Sequence, residues 1–338
     1  LYASTRISMV TIKQVATHAG VSFKTVSRVV NNDPTVKKIN RDKVINSIKE
    51  LGYRPNRAAS ITRRKKSGII GFIADDLLKV PYTFDLIRGA QKVAWEQNKE
   101  LMVLNVTEDR YSAELAAQHL MEHRVEGIIY AAMYHHEVIL PEILLECPTV
   151  LANCYCQNTQ YPSIVPDEVK AGETVALALL DAGYRKIAFL NLNEQIIAAQ
   201  DRKQGIINAF ILRGVPLENL HIESVFHGSP DKEVSNSREA TARIAREFKP
   251  DAIICGQDPI AVEAYFVLQS MGIQVGRDMG IASFDDWDTI PALLQPALST
   301  MALPHFDMGK WAMEYLLEER QDIVHEKLPF TLVKRGSY

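Results

Sequence analysis

Two sets of residues in this chain have the types and spacing to do recognition chemistry. The first is Phe23, Lys24, Ser27, Arg28 and Asn31. On a helix this spacing puts all five on one face. Arginine and lysine can donate to guanine O6 and N7 in a major groove, an aromatic edge can contact bases or a thymine methyl, and serine or asparagine can donate to phosphate. The second set follows short apolar runs. Asp75 and Asp76 follow GIIGFIA, with Tyr82 and Phe84 close behind, and Asp167 and Glu168 follow the run around Ile164. Gln257 and Asp258 follow DAIICG, Asp285, Asp286 and Trp287 follow GIASF, and Arg202 lies in AAQDRKQG. Carboxylates, an amide and a guanidinium can each satisfy a ligand hydroxyl, and an aromatic ring can stack on the apolar face of a sugar.

The first set needs a helix behind it, and the local sequence supplies one. In TIKQVATHAG, Thr11 is an N-cap type, Ile12, Val15, Ala16 and Ala19 keep helical spacing, and Gly20 can take a left-handed C-cap. VSFKTVSRVVNN then offers Ser22 as a second N-cap and Val26, Val29 and Val30 as a buried stripe. Two helices joined by a glycine-containing turn make a helix-turn-helix. A third periodic stretch, from about Arg41 to Leu51, supplies Val44, Ile48 and Leu51 and stops at Gly52. With the three stripes turned inward, the recognition set faces out.

Charge supports the same partner. The chain has 338 residues and a formal net charge of −3, which conceals a steep asymmetry. Residues 9–66 carry fourteen Lys/Arg against Asp33, Asp42 and Glu50, while residues 67–338 carry 23 Lys/Arg against 38 Asp/Glu. A basic head on an acidic body points to a polyanion for the head alone.

The second set needs strands that end near one another. From Gly68 onward, GIIGFIA, ELMVLNV, EGIIYAA, TVLANC, KIAFLNL, DAIICG and GIASFDD alternate with helical patterns at βαβ spacing. Further returning segments stand near 298–303 and 329–334. Together they exceed one comfortable sheet, so two doubly wound parallel-sheet subdomains with a cleft at the strand carboxyl ends are expected.

The stretch TIKQVATHAGVSFKTVSRVVNN, with ELGYRPNRAA at 50–59, closely resembles the N-terminus of the lactose/galactose repressor family of bacterial transcription regulators. The resemblance runs to the C-terminal GSY. It implies base readout by Phe23, Lys24 and Arg28, and phosphate contacts from Thr11, Ser22, Thr25, Ser27 and Asn31; Asn56 reads as a further phosphate contact, and the cation run with Arg63 and Arg64 reads either as more phosphate contacts or as a solvated linker. It also implies a hinge containing Ala59, Ile61 and Thr62 that becomes helical on operator DNA. Thr62 stands where the family wedges a leucine into the minor groove, and a shifted helix using Ile61 instead is the alternative to a shallower bend.

For the body, the resemblance implies a fold similar to periplasmic sugar-binding proteins. Arg202, Asp285 and Tyr82 fit the family's effector pocket. Gln257 and Ser283 depart from it, standing where asparagine and glycine are usual. The expected organisation is therefore a small all-α helix-turn-helix head (9–55), a hinge (56–67), and an α/β effector-binding and dimerisation core (68–338). Within that core the N-subdomain takes about 68–165 plus 300–328, and the C-subdomain about 166–298 plus 329–338.

The expected function is that of a ligand-responsive DNA-binding repressor: a homodimer on operator DNA, with a small-molecule effector of sugar type and neither cofactor nor metal. Absence of an apolar run of membrane length or an export pattern, and of a heptad tail after LVKRGSY, sets the expectations of a cytoplasmic, membrane-free dimer. A transport-type sugar-binding protein would need an export signal and no helix-turn-helix. An enzyme is disfavoured, since HLMEH at 119–123 matches a zinc pattern without a third ligand and no GxGxxG, GxxxxGK[ST] or GxSxG occurs. Cys147, Cys154, Cys156 and Cys255 form no CxxC pair and read as reduced thiols.

Overall fold

The structure, a computed structural model, describes residues 10–30, 33–54, 67–75, 84–107, 110–157, 160–229, 232–287, 289–320 and 322–338. Two units divide the chain, residues 1–66 and 67–338.

In the first unit three helices, α1 (Ile12–Ala19), α2 (Phe23–Val30) and α3 (Lys38–Leu51), close around one small core. Val15, Ala16 and Ala19 of α1 meet Val26 and Val29 of α2, Val44 of α3, and Tyr53. The local chemistry explains the boundaries. The Gln14 amide donates to Thr11 Oγ1 at 3.3 Å, and Gln14 Oε1 accepts from the Thr11 amide at 2.7 Å, a reciprocal capping box. Gly20 and Gly52 adopt φ 62° and 63°, ending α1 and α3 in left-handed turns that favour glycine.

The second unit carries two six-stranded sheets. The first is built from β1 (Ile69–Asp75), β2 (Glu100–Val106), β3 (Ile128–Glu137), β4 (Thr149–Tyr155), β5 (Ser163–Pro166) and β13 (His325–Leu328), in the order β13-β5-β4-β3-β1-β2, all parallel. The second contains β6 (Ile187–Asn191), β7 (Leu220–Ser224), β10 (Ala252–Cys255), β11 (Gly280–Asp285), β12 (Ser299–Ala302) and β14 (Thr331–Val333), in the order β14-β12-β11-β10-β6-β7. Only β14 runs antiparallel there. A short hairpin, β8 (Phe226–His227) with β9 (Val234–Ser235), lies between β7 and the helix that follows.

Continuous apolar runs such as Ile70 to Ala74 and Ile187 to Leu190 are buried because both faces of each sheet are covered, giving two core clusters per sheet. The chain passes between the sheets three times, after β5, after β12 and after β13. Residues from 300, read from the sequence as part of the N-subdomain, begin instead inside β12 of the second sheet, where Ala282 pairs with Ser299 and Asp285 with Ala302. A four-residue strand has too little pattern to reveal its sheet. The strand of the return lies at His325–Leu328, whose exposed alternation carries no apolar run to flag it.

One pair of glycines allows two helices to touch backbone to backbone. A Cβ on Gly172 of the helix Glu168–Asp181 would sit 2.2 Å from the Arg202 carbonyl oxygen, and one on Gly205 of the helix Ile197–Leu212 would sit 2.0 Å from that of Val169. These contacts bring Arg202 up against Glu168.

Candidate functional site

On the head, α2 turns Val26 and Val29 inward and leaves Phe23, Lys24 and Arg28 exposed, with Thr25 and Ser27 half-buried. Thr11 and Ser22 are the capping residues at the two helix starts; Ser22 Oγ accepts the Thr25 amide at 3.1 Å and lies 2.9 Å from Thr25 Oγ1. Arg28 is held by its own domain. Its Nε donates to Asp33 Oδ2 at 2.8 Å and its Nη2 to the Thr35 hydroxyl, which in turn donates to Asp33 Oδ1 at 2.6 Å. The Thr35 hydroxyl, the Arg28 guanidinium and the Thr35 amide hold the Asp33 carboxyl far below the usual carboxylate range. Asn31, Asn56, Ala59, Ile61, Thr62, Arg63 and Arg64 lie outside the described residues.

In the body a cavity of about 150 Å³ opens between the carboxyl ends of the two sheets. Arg202, Gln257 and Asp285 line it. Arg202 is buried, and its charge is met by Glu168: Nε donates to Oε2 at 2.6 Å and Nη2 to Oε1 at 3.3 Å, while Nη1 donates to the Gly256 carbonyl at 2.6 Å. The guanidinium also lies over the rings of Phe284 and Phe330, 4.3 and 5.7 Å from their centroids. Such an ion pair holds its geometry because bidentate contacts and ring faces leave the fork few alternatives.

Asp285 ends β11 with φ 114°, a conformation costly for a non-glycine residue, and Asp286 follows with φ 54°. Burial pushes the Asp285 carboxyl well above the usual range, against the pull of Arg202. Asp286 is turned away to accept from Arg335 at 2.7 Å.

Several residues expected at the ligand stand elsewhere. Asp75 accepts from the Tyr130 hydroxyl at 3.1 Å on the neighbouring strand and does not line the cavity. Phe84 opens the helix Phe84–Glu96 and is 40% exposed. Asp167 caps the next helix by accepting the Lys170 amide at 3.0 Å, so the inward position passes to Glu168. Asp258 is fully buried behind the wall: it accepts the Trp287 amide at 2.7 Å and the Thr300 hydroxyl at 2.9 Å, fixing the loop after β11. Trp287 is held there through its backbone and does not reach the cavity. Asp76 and Tyr82 fall outside the described residues.

The structure adds residues that motif reading passed over. The β3–β4 ladder slips between Ala131 and His136. Asn153, with φ 59°, spans the slip by donating from Nδ2 to the carbonyls of Ala132 and Met133, both at 3.1 Å. A bulge re-aims side chains, and here it delivers Met133, Tyr134 and His135 to the cavity. His135 is buried, its Nδ1 has no hydrogen-bond partner among the described residues, and burial lowers its pKa from 6.5 to about 4. His305 enters from the helix His305–Leu317, and Glu233 from the β8–β9 turn. No group of three or more metal-ligating side chains occurs among the described residues, His119 and His123 included.

Two family descriptions account for nearly the whole chain. Residues 11–56 match bacterial regulatory proteins of the lacI family, and residues 67–335 match the periplasmic binding proteins and sugar binding domain of that family. The chain belongs to the lacI family. It is a DNA-binding transcription regulator in two parts, and the family consists of regulators, not enzymes.

The sucrose operon repressor of Escherichia coli is 31% identical over 97% of this chain and 100% of its own length. Catabolite control protein A of Priestia megaterium is also 31% identical, over 97% and 99%. Among solved structures, a lacI-family regulator of Rhizobium etli superposes with a TM-score of 0.77 at 27% identity, covering 80% of this chain and 99% of that one. The lac repressor dimer bound to operator and the anti-inducer ONPF gives 0.75 at 24%, covering 98% and 99%, and shares the fold. Among the described residues no helix is long and apolar enough to cross a membrane.

Proposed function

We propose that this lacI-family regulator is a repressor that binds a pseudo-palindromic operator as a homodimer, inside the cell, and whose grip on DNA is set by a small polyhydroxylated effector in the cleft between its two sheets. The observation that carries the reading is the cavity itself. Arg202, Glu168, Asn153, Gln257 and Asp285 converge there with His135 and His305, a density of polar groups that suits a ligand bearing many hydroxyls. The relatives point the same way: two are sucrose operon and ribose operon repressors, and a lacI-family structure from Weissella paramesenteroides was solved with bound sucrose.

On the head, Phe23, Lys24 and Arg28 are assigned to base edges, and Thr11, Ser22, Thr25 and Ser27 to phosphate, with Asn31, Asn56, Arg63 and Arg64 extending the phosphate contacts. The hinge at Ala59, Ile61 and Thr62 completes the DNA contact. An effector changes DNA affinity only if it binds the DNA-competent and incompetent arrangements unequally. A cleft between two sheets joined by three chain crossings suits that requirement, because a ligand touching both sheets sets their relative angle.

A thermal-shift screen of sugars followed by operator titration tests the reading. A true effector at 100 times its dissociation constant stabilises the chain by about 2.7 kcal/mol and changes operator affinity. Stabilisation by a sugar with no change in operator affinity would leave a binding protein without a regulatory role.

A further inference from the structure

We propose that the cleft takes an uncharged sugar and rejects its phosphate ester, because every described cation at the cavity is already matched by an anion. This rests on the reading of the cleft as a sugar site and narrows its ligand class.

The charge inventory is short. Among the described lining residues Arg202 is the only Lys or Arg, and both oxygens of Glu168 take up its guanidinium. That pair is 4% and 3% exposed, so solvent does not loosen it. Asp285 brings a second carboxyl from β11, and Glu233 a third at the mouth, neither with a cation bonded to it among the described residues. His135 is held neutral by burial, and Lys327, which acts on it, also acts on Asp201 nearby. A phosphate dianion brought into this cavity would face carboxyl groups and find no unspent Lys or Arg among the described lining residues. Desolvating it there is costly, and no free Lys or Arg among the described lining residues offsets the cost.

A neutral polyol meets none of these objections. Its hydroxyls can donate to Glu168 and Asp285 and accept from Gln257, and His135 Nδ1, without a hydrogen-bond partner among the described residues, offers a further site. Burial raises the Asp285 carboxyl, which suits a group that exchanges hydrogen bonds with hydroxyls and does not hold an ion.

Calorimetric titration of the full chain with matched pairs tests this directly: ribose, glucose, fructose, galactose and sucrose, each beside its monophosphate ester. The expected result is that a neutral member binds and its ester binds at least about tenfold more weakly. An ester that binds as well as or better than its parent would overturn this inference and leave the sugar reading standing. Failure of every member to bind would overturn both.

Two variants locate the cause. Glu168→Gln frees the Arg202 charge and should narrow the gap between sugar and ester. Glu233→Gln, at the exposed mouth, should narrow it to a smaller degree without disturbing the buried pair. A gap unchanged in both would show that charge is not what excludes the ester.

Discussion

Arg28 Nε donates to Asp33 Oδ2 at 2.8 Å, so the cation best suited to read a guanine on α2 is engaged within its own domain. A second donor, Nη2, is spent on Thr35, and the Arg41 guanidinium anchors the Asp33 backbone carbonyl at 2.5 Å. Asp33 therefore both aims Arg28 and offsets its charge. A bidentate guanine contact requires an aimed guanidinium, whereas non-specific binding gains from every uncompensated cation.

The first prediction separates those two effects. Arg28→Ala should abolish discrimination between operator and random DNA. Asp33→Asn should strengthen binding to random DNA, steepen its salt dependence by about one unit of slope, and lower the operator preference. Titrations over a salt series measure all three quantities. An Asp33→Asn protein with unchanged operator preference would show that the carboxylate does not aim Arg28.

A second prediction concerns the buried pair in the cleft. Removing one member leaves an uncompensated charge, so Glu168→Ala should cost about 3–5 kcal/mol in urea denaturation. Pairing it with Arg202→Met should recover much of that loss, since an apolar side chain of similar length can pack over the rings of Phe284 and Phe330. The double variant should nevertheless bind no effector. Regained stability together with regained binding would remove Arg202 from the site.

The helix contact behind Arg202 gives a third. Gly172→Ala places a Cβ against the Arg202 carbonyl oxygen at 2.2 Å, and Gly205→Ala places one against that of Val169 at 2.0 Å. Backbone cannot swing aside as a side chain can, so the two helices must separate. Each substitution should cost about 1–3 kcal/mol or more, as overpacking does, and should weaken effector binding as Arg202 shifts from Glu168. Thermal unfolding and calorimetry of the same samples check both effects.

What the sequence made legible follows from how local each signal is. The three helices of the head announce themselves because their caps and stripes lie within a few residues: Thr11 with Gln14, Gly20, Val26 with Val29. The seven apolar runs became strands for the same reason. The cleft was half legible. Arg202, Gln257 and Asp285 stand at strand ends or in a motif, and they line the cavity. Asp167 and Glu168 are adjacent and chemically alike, and only the capping bond to Lys170 decides which turns inward. His135 was invisible because a register slip held by Asn153 aims it, and a slip depends on pairing between strands distant in sequence. Asp258 carried the right chemistry for a ligand but is consumed by Thr300 and the Trp287 amide, 42 and 29 residues away.

The last prediction uses His135 to read the cleft through pH. Burial is the main cause of its lowered pKa, with Lys327 and His136 adding to it and Asp201 opposing it. In the unfolded chain the ring titrates near 6.5, whereas folded it titrates near 4, so the unfolded state binds the extra proton between those values. Stability from the neutral ring is thus complete above pH 6.5 and declines as pH falls toward 4, where the folded ring also protonates and the decline from this group stops. The full difference amounts to at most about 3 kcal/mol. Denaturation of the full chain across this range, compared with His135→Gln, isolates the contribution: the wild type should lose stability more steeply between pH 6.5 and 4, and the two curves should run parallel above pH 7. A bound neutral sugar that donates a hydroxyl hydrogen to Nδ1 should stabilise the neutral ring and move its titration lower still. Parallel curves through the acid range would mean that His135 is solvated in the free protein and that the bulge does not hold it in the cleft wall.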